Sequence, residues 1–120
     1  MRGTGPRLVS SVGVDLVELK KARAFYTRHK SRLVSFFHPE ELAYIRTQRS
    51  RTRAVATLLA AKEAVFKASG LDWMGPSGFR DIRLSASGGE LKLIHASLGS
   101  RLRLECLSHK DFVVVRCAGI

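Results

Sequence analysis

Apolar and polar positions alternate along residues 12–17, VGVDLV. A period of two predicts a β-strand in which Val12, Val14 and Leu16 share one face. Asp15 then lies on the opposite face, as the lone acid of an otherwise apolar strand. The pattern therefore predicts a strand with one carboxylate on the face away from its main apolar side chains.

Helical patterns follow in the next part of the chain. A basic helix is predicted over roughly residues 18–31, and Pro39 at a first helical position predicts a second helix that ends near Thr47. The most pronounced helix is expected over residues 54–69, which are rich in alanine and leucine and are followed by Gly70 as a helix stop. The polar residues 48–53 are predicted to form a loop.

Beyond a Gly/Pro loop at residues 70–78, the hydrophobic period changes to two. Four short strands are predicted there, joined as two hairpins by turns at Gly88-Gly89 and at residues 108–111. The strands cover residues 82–86, 91–93, 102–106 and 112–117. Because strands and helices are not regularly interleaved, the pattern predicts an α+β fold with an antiparallel sheet packed against the long helix.

The length of 120 residues predicts a single domain, residues 1–120, with residues 1–11 as a disordered extension. The chain has no apolar run of about 18 residues, so no membrane-spanning helix is expected. Its two cysteines, Cys106 and Cys117, are expected to be buried and reduced. With no recognisable secretory signal, these features predict a cytoplasmic protein.

The net charge of +11 is unevenly placed along the chain. No acidic residue occurs between Glu18 and Glu40, or between Glu41 and Glu63, and both segments are rich in lysine and arginine. Such a field attracts a polyanion, which could be a nucleic acid, a phosphorylated cofactor or an acidic protein. Few aromatic residues accompany the basic runs, so nucleic acid is the least favoured of the three.

The segment AAKEAVFKASG, residues 60–70, contains candidate catalytic groups. Glu63 and Lys67 are four residues apart and lie beside the apolar side of the predicted helix. Such a pair is ordinarily a surface ion pair worth about 0.2–0.5 kcal/mol. Alternatively, Glu63 and Asp15 are carboxylates from different elements that bind Mg²⁺ together with water and phosphate oxygens, while Lys67 contacts a phosphate. The spacing leaves both interpretations open.

Ser108 and His109 stand together in a predicted turn. Adjacent residues rarely align as nucleophile and base, and no acid is placed to orient the imidazole, so no catalytic triad is predicted. His109 is interpreted either as an ordinary turn residue or as a contact to a phosphate or nucleobase at the mouth of a site.

Five motifs, in their order along the chain, resemble the 4′-phosphopantetheinyl transferase superfamily, and most closely its short, single-domain holo-acyl-carrier-protein synthase type. They are GVDLVEL (13–19), FFHPEELAYI (36–45), AAKEAVFKASG (60–70), FRDIRL (79–84) and CLSHKDFVVV (106–115). The resemblance covers nearly the whole chain from Val12 and implies the fold of that family. It also implies an Mg²⁺-dependent enzyme that transfers the 4′-phosphopantetheine arm of coenzyme A to a serine of an apo acyl carrier protein and releases 3′,5′-ADP.

The resemblance implies roles for individual residues at matching motif positions. Asp15 and Glu63 correspond to the acids that bind Mg²⁺, and Lys67 to a lysine that contacts the transferring phosphate; all three are the implied catalytic residues. Gly70 and His109 correspond to residues next to the cofactor. The basic residues implied at the 3′-phosphate are Arg49 and Arg51.

The resemblance also implies two protein partners. The helix after GVDLVEL is similar to the one that docks the acidic carrier protein, which points to Lys21, Phe25 and Arg28. The short members of the family form homotrimers with sites between subunits, so a second copy of the chain is the other expected partner.

Several positions depart from the family pattern, including Lys21 in place of a common arginine. Leu58 stands where an arginine is usual, and Leu104 and Cys106 stand where His-Val-Ser opens the penultimate strand. Loss of an arginine removes a planar, bidentate grip on phosphate. The alternative hypothesis is therefore a catalytically weakened module of the same fold that binds coenzyme A or a carrier protein.

Overall fold

Helices and strands follow one another in the order that the sequence predicts. The structure is a computed structural model that describes residues 12–69, 80–86, 89–95 and 99–119. Its elements are β1 (Val12–Glu18), α1 (Leu19–His29), a 3₁₀ segment (Lys30–Ser35), α2 (Pro39–Thr47), α3 (Arg51–Ser69), β2 (Leu84–Ser85), β3 (Lys92–Leu93), β4 (Leu102–Ser108) and β5 (Phe112–Gly119). An antiparallel sheet has the order β1-β5-β4, and β2 pairs with β3 in a second one. The α+β class is confirmed.

Some predicted features involve residues that the structure does not describe. The extension at residues 1–11 and the loop at residues 70–78, with Gly70, lie outside the described residues. Of the predicted turn at Gly88-Gly89, only Gly89 is described, and its φ of +79° is a conformation that glycine adopts readily.

The long helix α3 begins three residues earlier than the pattern predicts. Residues 51–53, expected in a loop, form its first turn. The cause is Ser50, whose Oγ accepts a hydrogen bond of 3.1 Å from the backbone N–H of Arg53. A serine in this position satisfies an otherwise unpaired donor at the start of a helix, so polar residues there are compatible with helix.

Helix α3 packs against the three-stranded sheet, and the two backbones approach closely at Gly13. A β-carbon at Gly13 would overlap the carbonyl oxygen of Ala64, and would lie 2.7 Å from the backbone nitrogen of Ala68 and 2.9 Å from Cβ of Lys67. Only glycine allows the two backbones to come this close. The face of β1 that bears Gly13 and Asp15 is therefore the face that meets α3.

The apolar face of β1 consequently points away from the core. Val12, Val14 and Leu16 are each about half exposed, and Leu107 on β4 is exposed as well. Leu16, Val114 and Leu107 are adjacent across the three strands, because Val114 pairs with both of the others. The outer face of the sheet therefore presents a row of apolar side chains, a feature that often marks an interaction surface.

An ion pair inside the core joins α2 to α3. Lys62 and Glu41 are 0% and 1% exposed, and their charged atoms are 3.0 Å apart. Lys62 also donates to the carbonyl oxygen of Ile82 at 2.6 Å, and Glu41 accepts from the backbone N–H groups of His38 and Leu84, both at 2.8 Å. Buried charges need such partners. This network fixes the segment before β2 against both helices, and the sequence pattern did not predict it.

We expect Gly13→Ala to lower the free energy of unfolding by about 2 kcal/mol or more, because the added methyl group meets backbone atoms that cannot rotate away. Urea denaturation measures the change. Thr27→Ala, at an exposed position of α1, is the control and should change the free energy of unfolding by less than about 0.5 kcal/mol. Equal stability of Gly13→Ala and wild type would contradict the close approach.

Candidate active site

Asp15, Glu63 and Lys67 come together where β1 crosses α3, and we call this group the carboxylate site. Nζ of Lys67 lies 3.1 Å from Oδ1 of Asp15 and 3.2 Å from the carbonyl oxygen of Val14. The side chain of Asp15 is 19% exposed and that of Lys67 is 49% exposed. The charged groups are therefore held by the protein and still accessible to a ligand.

Glu63 is the member of the carboxylate site that has no hydrogen-bond or ion-pair partner among the described residues. Within the described residues, no hydrogen bond and no ion pair holds its half-buried carboxylate, since Lys67 pairs with Asp15. Burial, followed by repulsion from Asp15, raises the pKa of the Glu63 carboxyl group, and the charge of Lys67 opposes this rise. The ion-pair partner of Lys67 is therefore Asp15 on β1, and not Glu63, which is four residues earlier on the same helix.

Two carboxylates that repel each other form a suitable environment for a cation. In the part of the chain that the structure describes, no group of three or more His, Cys, Asp or Glu side chains could hold a metal. Among the described residues, Asp15 and Glu63 would be the protein ligands of a cation here, with oxygen atoms of water or substrate beside them. Mg²⁺ is commonly bound by one or two carboxylates plus phosphate oxygens, so the two residues fit this ion.

His109 lies in the turn between β4 and β5, and we call residues 108–110 together with Arg53 the turn site. The ring of His109 stacks on Phe112, with centroids 4.3 Å apart and an angle of 13° between the planes. Its Nδ1 accepts a hydrogen bond of 3.3 Å from the backbone N–H of Asp111. In the neutral ring, this contact leaves the proton on Nε2, where it can be donated to a ligand.

Arg53 ties this turn to the first turn of α3. Its guanidinium group donates to Oγ of Ser108 at 2.6 Å and to the carbonyl oxygens of His109 at 2.5 Å and of Lys110 at 3.3 Å. The sequence analysis did not single out Arg53. The available signal was its place in the acid-free basic run, which does not distinguish it from Arg49 or Arg51.

A groove lies beside the turn site and consists of two adjoining cavities of about 550 and 410 Å³. The residues that line both cavities are Tyr44, Gln48, Gly89 and Leu91. The smaller cavity is also lined by Arg49, Arg53 and Ser108, so one end of the groove is positively charged. Arg51, the other basic residue expected at a phosphate, is exposed and does not line either cavity.

The predicted site residues thus fall into two groups within one chain. Arg53 and Glu63 are ten residues apart on α3, which corresponds to a separation of about 15 Å along the helix axis. The strand pairing also places the two groups apart. Asp15 pairs with Val115 in the middle of the sheet, whereas His109 lies beyond the end of β5.

The residues expected to contact a carrier protein lie on α1. Lys21 and Arg28 are exposed. Phe25 is half-buried and packs edge-on against Phe36, with ring centroids 5.1 Å apart. Phe25 therefore supports the end of α1, and the two basic residues are the more accessible part of this surface.

Three of the positions that depart from the family pattern have different environments. Leu58 is 1% exposed and belongs to the core. Leu104 is half-buried. The prediction that both cysteines are buried is wrong for Cys106, which is exposed and lines the smaller cavity of the groove. A leucine at position 58 is therefore accounted for by packing.

Comparison with known proteins assigns the chain to a family. The family model of the 4′-phosphopantetheinyl transferase superfamily matches residues 11–117. The chain belongs to this superfamily, as its motifs suggested. Within it, the chain is similar to the holo-[acyl-carrier-protein] synthases, for example that of Bordetella parapertussis, with 34% identity over 96 residues, 74% of this chain and 63% of the relative.

Solved structures show the same fold. The holo-[acyl-carrier-protein] synthase of Neisseria meningitidis gives a TM-score of 0.76 at 23% identity, covering 92% of this chain and 97% of that one. The ACPS–CoA complex of Chronobacterium ammoniagenes gives 0.72 at 26% identity, covering 89% and 93% of the two chains.

The curated relatives are longer than the part of this chain that matches them. The matched part of the chain spans 61–63% of the length of curated relatives from two Clostridium species and Bordetella parapertussis.

Among the described residues, no helix has the length and apolar character needed to span a bilayer.

We expect Asp15→Asn to lower the pKa of Glu63, because the repelling charge is removed, and added Mg²⁺ to lower it in the wild type, because a cation favours the carboxylate. A ¹³C NMR titration of the Glu63 carboxyl group measures both shifts. Asp111→Asn, in the exposed turn, is the control. A pKa that responds to neither change would show that the two carboxylates do not share an ion site.

The same raised pKa predicts a pH dependence of stability. Folded protein binds the Glu63 proton more readily than unfolded protein, so the stabilising effect is complete below the unfolded pKa. It is lost as the pH rises through the folded pKa. Glu63→Gln should remove this part of the dependence in urea denaturation at a series of pH values, and an unchanged dependence would contradict the assignment.

Proposed function

We propose that the protein transfers the 4′-phosphopantetheine arm of coenzyme A to a serine of an apo acyl carrier protein, with Mg²⁺, and releases 3′,5′-ADP. The observation that carries the proposal is the carboxylate site, in which Asp15 and Glu63 from different elements lie together beside Lys67. Membership of the superfamily and the coenzyme A in the Chronobacterium ammoniagenes complex support the same reaction. The cytoplasmic location remains a prediction.

The chemistry requires charge neutralisation and positioning more than covalent participation of the protein. The serine hydroxyl oxygen attacks the phosphorus that bears the pantetheine arm, and the bond from that phosphorus to the bridging pyrophosphate oxygen breaks. Asp15 and Glu63 would hold Mg²⁺, which when bound offsets the negative charge of the pyrophosphate. Lys67 adds a positive charge at the transferring phosphate.

Glu63 is suited to take the proton of the incoming serine. Within the described residues its carboxylate has no hydrogen bond or ion pair, so one of its oxygen atoms is available to accept the proton. Asp15 is less suited, because Lys67 already holds its Oδ1 at 3.1 Å. The two acids therefore have different roles, with Asp15 as an anchor and Glu63 as the base.

The turn site and its groove are proposed to hold the nucleotide end of coenzyme A. The positive end of the groove, with Arg49, suits a phosphate, and the exposed His109 ring offers an N–H donor and a flat surface. The groove volume is within the range of small-molecule sites. The acid-free surface of α1, including Lys21 and Arg28, is proposed to attract and orient the acidic carrier protein.

A homotrimer with sites between subunits is supported by two features of the single chain. The outer face of the sheet exposes apolar side chains, among them Val14 and Leu16. The carboxylate site and the turn site are about 15 Å apart along α3, so the turn site of one subunit can complete the carboxylate site of its neighbour.

We expect the protein, with coenzyme A and Mg²⁺, to add the phosphopantetheine mass to an apo carrier protein. Asp15→Asn and Glu63→Gln should each lower kcat by about a hundredfold or more, because charge stabilisation in the transition state is lost. Asp81→Asn, at an exposed acid, is the matched control and should stay within about twofold. Intact-mass spectrometry measures the product.

Two results would contradict the proposed transferase. One is no mass gain on several apo carrier proteins by folded protein. The other is calorimetric binding of coenzyme A without turnover, unchanged by Glu63→Gln. The second result would support the non-catalytic binding module, which the departures from the family pattern at Leu58 and Leu104 motivate.

We expect Leu16→Asp to convert a trimer into monomers, because a charge is introduced into the apolar outer face of the sheet, and to abolish turnover, because the two half-sites separate. Analytical ultracentrifugation measures the mass. Val34→Asp, at an exposed valine in the 3₁₀ segment, is the matched control and should remain trimeric. A wild-type monomer with full activity would refute the shared site.

A further inference from the structure

We propose that Arg53 is a positioning residue, which holds the turn at residues 108–110 so that His109 contacts the nucleotide end of coenzyme A. This inference rests on the proposed function. It assigns to Arg53 a role in substrate affinity through His109, and no direct part in the chemical step.

The contacts of Arg53 connect segments that are far apart in sequence. Its three acceptors, on Ser108, His109 and Lys110, are 55 to 57 residues away along the chain. The residue itself is in the first turn of α3, which Ser50 caps and which is packed into the protein. Arg53 therefore connects an exposed turn to a helix that is packed into the protein.

Hydrogen bonds and ring stacking within the hairpin hold His109, and contacts with two other elements hold the turn as a whole. The backbone N–H of His109 donates to the carbonyl oxygen of Phe112 at 2.8 Å, and the ring stacks on the side chain of Phe112. On the far side of the turn, the backbone N–H of Leu19 donates to the carbonyl oxygen of Asp111 at 2.9 Å. Arg53 supplies the tie on the α3 side, so the turn is held from two directions.

The shape of the guanidinium group is what this arrangement uses. All three acceptors are neutral oxygen atoms, and two of them are backbone carbonyls. A planar group with several fixed N–H donors can satisfy them at once, whereas a lysine is a flexible point charge. Arg53→Lys therefore keeps the positive charge and removes the tie, which separates positioning from simple attraction of an anion.

The test compares wild type with Arg53→Lys, Arg53→Met, His109→Ala and the double variant Arg53→Met/His109→Ala. The measurements are KM for coenzyme A and kcat in the carrier-loading assay, and calorimetric binding of 3′,5′-ADP. Both Arg53 variants should raise KM and the dissociation constant about tenfold, the scale of a lost hydrogen bond to a charged group. A kcat within about twofold of wild type is expected, because binding and not the chemical step is affected.

The double variant decides how Arg53 acts. If Arg53 works through His109, its replacement by Met should change KM by less than about twofold in the His109→Ala background. Arg101→Met, at the far end of β4, loses the same charge and is the control, with KM unchanged. Because Arg53→Lys is a mild change, it keeps the test decisive if Arg53→Met does not fold.

Two outcomes overturn the inference, and a third identifies failure of the proposed function. Fully additive effects in the double variant would mean that Arg53 contacts the nucleotide directly. Wild-type values in Arg53→Lys would mean that the tie has no effect on binding. If wild-type protein neither loads a carrier nor binds 3′,5′-ADP, the proposed function fails and the role of Arg53 in it fails as well.

Discussion

The close approach of β1 to α3 at Gly13 is the constraint on which the candidate site depends. The absence of a side chain lets the strand lie against the backbone of the helix near Ala64 and Ala68. Asp15, two residues along the same face, is thereby brought to Lys67. If the strand were held farther out, the carboxylate would face solvent and the ion pair would not form. A packing requirement at one position thus determines where the charges meet.

Two neighbouring residues of α3 show how differently the fold treats charge. Lys62 is fully buried, and its ammonium group has Glu41 and the carbonyl oxygen of Ile82 as partners. Glu63, the next residue, is half-buried and has no such partner within the described residues. A satisfied buried pair holds elements together, whereas an unsatisfied carboxylate near another acid has free energy to gain from a cation or a proton. The first arrangement is structural, and the second is suited to chemistry.

The positions of the two candidate sites and of the apolar sheet face also favour an assembly of several copies of the chain. The carboxylate site, the turn site and the exposed apolar face of the sheet occupy different parts of the described chain, and the first two are about 15 Å apart along α3. Exposure of apolar side chains such as Leu16 and Leu107 to water is unfavourable, and association of copies would bury these side chains. Self-association and completion of the site are therefore linked in the proposed trimer.

Local features of the sequence were enough to predict the α-helices, the strands and the family, but not the 3₁₀ segment. Pro39 marks the start of α2, the alternating pattern predicts β1, and the motifs around Asp15 and Glu63 carry the resemblance that the comparisons confirm. These features depend on residues near one another in the chain, which is why a pattern can reveal them. The start of α3 was predicted too late, because the capping effect of Ser50 was not recognised.

Other features were decided only by the tertiary structure. They include the partner of Lys67, the burial of Lys62, the tie from Arg53 to the turn, and the exposure of the apolar face of β1. Arg53 looks like any other arginine in a basic run until the fold brings residue 108 beside it. The physical reason is the same in each case: the outcome depends on contacts between residues distant in sequence, and these are determined by how closely the backbones pack.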